Sequence, residues 1–168
     1  MEAELAKKVV RSLREAGINF VTYLPESRLS QILPLMREDH SFQLVPVANE
    51  AEAITIAAGA VLGGKQAACY LESSGLYVAC YSLLTIGRQL GVPILLVVGF
   101  LGGFEDQRNS FLYATVGNRT MPHLDGLGIE YRVIEDGHKL EPKIRDAVRT
   151  MNSLRAPVAL LFSGEFTL

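Results

Sequence analysis

The residues of this chain best suited to chemistry are short polar groups that follow apolar runs. They are Pro25-Glu26-Ser27, Asn49-Glu50, Ser73-Ser74-Gly75, and the segment from Gly99 that carries Arg108 further along. Glu50 stands out, because a carboxylate at the mouth of a helix can hold or release a proton for a bound molecule. The same position also suits a structural acid. Asn49 can cap the helix, Glu52 three places on completes a capping box, and acids in a first turn are favoured by the helix dipole. Spacing alone leaves both readings open. The serines likewise allow two. They can open a helix with a Ser cap, or Leu71 to Gly75 can form a strand-to-helix nucleophile elbow, with Asp106 or Asp125 and then His138 completing a Ser, Asp, His order. Against the elbow, the first Gly of GxSxG is missing and 168 residues is short for an α/β-hydrolase.

Other chemistries find less support. Cys69 and Cys80 form no CxxC and have no His at ligand spacing, so two buried, reduced thiols are expected. Neither GxGxxG after the first strand nor GxxxxGK[ST] occurs, which argues against phosphate cradling by this chain. His40 and His138 lie in polar turns and His123 in an expected helix, with no role assigned. Arg28, Arg88 and Arg119 are expected at the surface, solvated or paired.

These groups need a scaffold, and the hydropathy pattern supplies one. Strand-length apolar runs at 19–24, 42–47, 67–72, 93–99, 131–134 and 157–162 alternate with longer stretches of helical period. Parallel strands need such crossovers, so the chain is expected to be an α/β protein, three layers α/β/α around a central parallel sheet of roughly six strands. The runs ILLVVG and VALLF are apolar at consecutive positions, as strands covered on both faces must be, and should be central. In the first helix Leu5, Val9, Leu13 and Ala16 should share the buried face, with Gly17 ending it. Pro34 should kink the second helix or mark its true start. Positions 101–117 lack clear period and read as a long loop, functional or at an interface. In open α/β sheets ligands gather outside the carboxyl ends of the strands, where the polar groups above fall.

Composition narrows the partners. With 16 basic and 18 acidic residues giving a net charge of -2, there is no electrostatic footprint for nucleic acid or an anionic membrane. The longest apolar stretch, 92–101, is interrupted by Pro93 and Gly99 and is far short of the ~20 residues a spanning helix needs. The N-terminus lacks the apolar core of a secretion signal, so a cytoplasmic protein is expected. The apolar share of 49%, without Trp, suggests surface buried against partners.

Taken together, LPES after the first strand, ANEAEAITIAAGAVLGGK, ESSGLYVACYSLLTI, GVPILLVVGF, GNRTMPHLDGLGIEYRVIE and PVALLFSGEF resemble the pyrimidine-binding domain of thiamine-diphosphate enzymes. The match is nearest to the branch of sulfopyruvate and phosphonopyruvate decarboxylases and covers nearly the whole chain. It implies the thiamine-diphosphate-binding fold. It also implies that the Glu50 carboxylate hydrogen-bonds the ring nitrogen of the cofactor's aminopyrimidine, favouring the imino tautomer that activates the thiazolium carbon for attack on a 2-oxoacid. Pro25, Ser73, Ser74 and Gly75 would approach the cofactor, and Ser27 and Arg108 the substrate; the family often shows Asn where Ser73 stands. Nothing resembles the GDG…N signature that holds magnesium and diphosphate in the companion domain. Residues 1–168 are therefore expected to be one pyrimidine-binding domain, the α subunit of a hetero-oligomer. A diphosphate-binding β subunit would carry Mg2+, and this subunit would also self-associate. The substrate would be a small anionic 2-oxoacid such as sulfopyruvate or phosphonopyruvate; a bulkier, less charged 2-oxoacid fits the apolar loop after Gly99. Alternatives are the pyrimidine-binding subunit of another thiamine-diphosphate enzyme, including a carboligase, and a non-catalytic α/β regulatory module.

Overall fold

The computed structural model describes residues 1–103 and 111–166, with the side chain of Leu112 excepted. Six parallel strands form one sheet, β1 (Phe20–Tyr23), β2 (Gln43–Pro46), β3 (Ala67–Glu72), β4 (Leu95–Gly99), β5 (Glu130–Ile134) and β6 (Val158–Phe162), in the order β2-β1-β3-β4-β6-β5. Each expected run coincides with one strand, β5 starting one residue before its run, and the three-layer α/β/α expectation holds. Every residue of β4 and of β6 is buried, as inner strands covered on both faces require, whereas the edge strands β2 and β5 are largely exposed or half-buried.

One face of the sheet is covered by α1 (Ala3–Glu15), α2 (Ile32–Glu38) and α7 (Leu140–Leu154), through a core that includes Val9, Leu13, Ile32, Ile144 and Met151. The first helix buries Ala6, Val9, Val10 and Leu13, while Leu5 is only partly covered, so its inward stripe is rotated slightly from the expected one. Gly17 ends it at φ +91°, a conformation that costs glycine nothing. Pro34 lies in the first turn of α2, where a missing N–H is harmless, and so marks the helix start rather than a kink.

The opposite face carries α3 (Glu50–Leu62), two short helical turns α4 (Gly75–Val78) and α5 (Cys80–Ser82), a π-helical segment (Leu83–Gln89), and α6 (Phe111–Leu127). The last of these corrects the expected loop at 101–117, whose end from Phe111 is helical. Its period was weakened at that end by Gly117, a residue of low helix propensity. Gly117 has a packing reason: a Cβ there would lie 2.5 Å from the carbonyl oxygen of Leu101, so only glycine lets this helix close on the chain leaving β4.

Cys69 is fully buried in β3 and receives a hydrogen bond from Thr22 Oγ1 at 3.2 Å; burial pushes its thiol up to about 12, so it stays protonated. Cys80 is only half-buried, not the second buried thiol expected. Among the described residues, no helix is long and apolar enough to cross a membrane, and no cluster of His, Cys, Asp and Glu could hold a metal ion.

Candidate active site

The chain turns outward from β1 in both directions, to β2 on one side and to β3 on the other. Such a switch point opens a crevice at the carboxyl ends of the strands. The segments after β1, β2 and β3, which hold most of the sequence-predicted site residues, all leave the sheet there.

Glu50 opens α3 after β2. Asn49 caps that helix with extended backbone, its Oδ1 accepting from the amide of Glu52 at 2.9 Å, and Glu52 Oε2 accepts in return from the amide of Ala48 at 2.6 Å. The reciprocal cap is the expected one, except that the returning bond reaches one residue further back than Asn49 itself. Capping is thus done by Asn49 and Glu52, and Glu50 is left over for something else. Asn49→Ala should cost about 1 kcal/mol of stability, read as a lowered midpoint in urea, while leaving the position of Glu50 in the chain untouched.

The Glu50 side chain reaches across to the start of α4. A Cβ built on Gly75 would lie 2.6 Å from Glu50 Oε1 and 2.7 Å from Cδ, so the carboxylate occupies the space a side chain would take. It is half-buried. Among the described residues it has no hydrogen-bond donor or ion-pair partner, which leaves its oxygens available to a bound molecule.

Ser73 is fully buried. Its Oγ accepts from the amide of Leu101 at 3.2 Å and its own amide donates to the Gly99 carbonyl at 3.0 Å, fastening the end of β3 to the chain leaving β4. Ser74 does not cap with its side chain; its Oγ donates to Glu72 Oε1 at 2.7 Å. Both outcomes depart from a simple Ser-capped helix start, and the buried, occupied Ser73 makes a poor nucleophile. His138, the base of the hydrolase alternative, follows β5 in a turn where its amide donates to Asp136; that strand is the far edge of the sheet.

After β1, Pro25 and Ser27 are exposed at the mouth, and Arg28, expected at the surface, is only 4% exposed and engaged in contacts. Glu26 between Pro25 and Ser27 had no assigned role, yet its carboxylate accepts three hydrogen bonds. Its Oε2 accepts from the amide of Arg28 at 2.7 Å, and its Oε1 accepts from the amide of Leu29 and from the Tyr70 hydroxyl, the latter at 2.9 Å. The available signal was an acid two and three residues before backbone amides at a helix approach, the spacing of a side-chain-closed turn. Burial first, then the charge and hydrogen bond of Glu26, push the Tyr70 phenol far above its ordinary value, so it remains a donor.

Arg108, the other expected substrate contact, and Asp106 lie outside the described residues. Phe100 and Leu101 are 4% and 2% exposed and belong to the interior, so the apolar start of that loop is explained by packing. A cavity of about 230 Å³ lies at the carboxyl ends of β5 and β6, with Phe100, Asn118, Met121, Glu135 and Ser163 among its lining. A larger hollow, about 580 Å³, lies by α1 and the turn after β5, between Lys8, Gly137 and Glu165. Neither contains Glu50. His123, assigned no chemistry, is half-buried; it stacks on Tyr77 with centroids 4.5 Å apart and its Nε2 lies 3.3 Å from the Leu76 carbonyl oxygen, so it braces α6 against α4.

An acid at the mouth of a small-residue helix, a glycine cleared to receive it and a crevice at the switch point are the features of a cofactor-binding domain of the thiamine-diphosphate class. The chain belongs to the family described as thiamine pyrophosphate enzyme, N-terminal TPP binding domain, whose model matches residues 3–103, more than half of the sequence. It is 26% identical over 162 residues to "Sulfopyruvate decarboxylase subunit alpha" of Methanococcus maripaludis, covering 95% of this chain and 94% of that one. It is 28% identical over 159 residues to the protein of the same name from Methanocaldococcus jannaschii, covering 93% and 91%. In three dimensions it aligns over 98% of its length with 29% of a chain of 2-oxoglutarate:ferredoxin oxidoreductase from Magnetococcus marinus, at a TM-score of 0.74 and 19% identity, a likeness of fold.

Proposed function

We propose that this chain is the pyrimidine-binding α subunit of a heteromeric thiamine-diphosphate-dependent 2-oxoacid decarboxylase, acting on sulfopyruvate or a close anionic relative such as phosphonopyruvate. The observation that carries the reading is the Glu50 carboxylate, half-buried, unpartnered among the described residues, and held over a glycine with no room for a Cβ. The two methanogen relatives aligned over nearly their full lengths, both named sulfopyruvate decarboxylase subunit alpha, support the reaction, the substrate and the need for a second subunit.

The residues fit the cofactor. Glu50 would accept a hydrogen bond from the pyrimidine ring nitrogen, Gly75 would clear the space in which that carboxylate meets the cofactor, and Pro25, Ser73 and Ser74 would bound the same crevice, with Ser73 acting through the Leu101 segment it fastens. Ser27 and Arg108 would face the oxoacid. When bound, thiamine diphosphate supplies the electron sink for cleavage of the bond to the carboxylate carbon. The protein's part is to fix where one proton sits. A Glu50 oxygen facing a ring nitrogen would favour a proton on that nitrogen, and Ser74, whose proton is committed to Glu72, can only accept from what binds beside it.

Mg2+ and diphosphate would be held by a β subunit carrying GDG…N, with the active site between chains. The surface supports such assembly: Val78, Tyr81 and Leu84 are 57%, 78% and 48% exposed on the helical layer that packs beside α3, an apolar strip of the kind that marks an interface and that could also serve self-association. The test is co-expression with a partner of that description and assay with thiamine diphosphate, Mg2+ and sulfopyruvate. The complex should release carbon dioxide and this chain alone should not; robust turnover without a partner would overturn the split-site reading.

A further inference from the structure

We propose that Glu26 is a positioning residue for the reaction: its carboxylate draws the turn after β1 down onto the ends of β3 and β4 and thereby sets Ser27 at the mouth of the site. This rests on the decarboxylase reading above. The carboxylate sits at the junction of three elements. It takes two amide hydrogens from its own turn, those of Arg28 and Leu29, and one hydroxyl hydrogen from Tyr70 in β3. It also lies against the last residue of β4, where a Cβ on Gly99 would be 3.0 Å from Glu26 Oε2.

Three donors converging on one anion make a stiff joint, because charge-assisted hydrogen bonds are shorter and stronger than neutral ones. The joint uses up the carboxylate: with its oxygens committed, Glu26 itself offers little to a ligand, while its neighbours Pro25 and Ser27 are exposed. Tyr70 is 1% exposed and its ring is locked in the core, so the anchor at the sheet end is fixed. An amide in place of the carboxylate keeps the size but turns a donor toward one of the three donors, and the turn must open to relieve it.

The experiment compares the complex of this chain with its β subunit as wild type, Glu26→Gln, Tyr70→Phe, Ser27→Ala and Glu26→Gln/Ser27→Ala, with Glu50→Gln as reference. Glu26→Gln should raise KM for sulfopyruvate about tenfold while kcat stays within about threefold, and Tyr70→Phe should move KM the same way by about threefold. The thiamine diphosphate dissociation constant, measured by calorimetry, should stay within about twofold of wild type. Amide exchange at Arg28 and Leu29 should accelerate in Glu26→Gln while that of β6 does not. The double variant should be no worse than the poorer single one, because both act through the Ser27 contact. Losses that simply add, or a KM unchanged in both Glu26→Gln and Tyr70→Phe, would overturn the proposal. Should Glu26→Gln fail to fold, Tyr70→Phe alone with and without Ser27→Ala decides by the same criterion. Failure of the decarboxylase reading shows separately, as wild type without turnover on any 2-oxoacid or Glu50→Gln with full activity.

Discussion

Glu50→Gln should lower kcat of the assembled enzyme by about 10²- to 10⁴-fold, the span expected for removing a positioned proton-handling group. The substitution keeps the side chain's volume and leaves the Asn49–Glu52 cap intact, so the chain should fold as before. Magnitudes separate this from the competing structural role. An acid that merely complements a helix dipole is worth about 0.3–1 kcal/mol of stability and nothing in turnover. Because Glu50 has no partner among the described residues, its neutralisation should not leave an orphaned donor or cation behind. Steady-state assay together with a urea unfolding curve therefore discriminates cleanly: a large fall in kcat with a small stability change supports the cofactor role. Full activity in Glu50→Gln would identify the chain as a non-catalytic subunit.

The architecture was legible because it depends on signals that act locally. Strands β4 and β6 must be apolar at consecutive positions to be covered twice, and that pattern is visible in ILLVVG and VALLF without knowing what covers them. The cap of α3 was equally readable, since Asn49 and Glu52 interact within one turn. What could not be read depends on contacts between distant segments. The helical start of 111–127 was masked by Gly117, whose presence makes sense only once the chain leaving β4 is seen to press against it. The part played by Glu26 requires Tyr70, forty-four positions away, to be brought beside it by the pairing of β1 with β3. Glu50 was singled out through the company its motif keeps, and the reason for Gly75 emerged only from the packing of one against the other.

That packing gives the second large expected effect. Gly75→Ala should reduce turnover about 10²-fold, the cost of displacing a reacting group by roughly an ångström. The backbone at Gly75 does not require glycine, because its φ is not positive and it begins a helical turn. An alanine there is accommodated by the chain and, in a helix, is favoured over glycine by roughly 0.5–1 kcal/mol. Its methyl, however, would stand 2.6 Å from Glu50 Oε1, and the flexible acid must swing aside. A protein as stable as wild type but crippled in kcat is therefore the expected phenotype. Gly126→Ala, where a Cβ meets nothing within 4 Å, serves as the control and should leave kcat unchanged. Combining Gly75→Ala with Glu50→Gln should cost no more than Glu50→Gln alone, because the methyl then displaces a group that no longer functions. If Gly75→Ala instead retained wild-type kcat, the carboxylate would not need the position seen here, and the assignment of Glu50 as the acid facing the pyrimidine would fall with it.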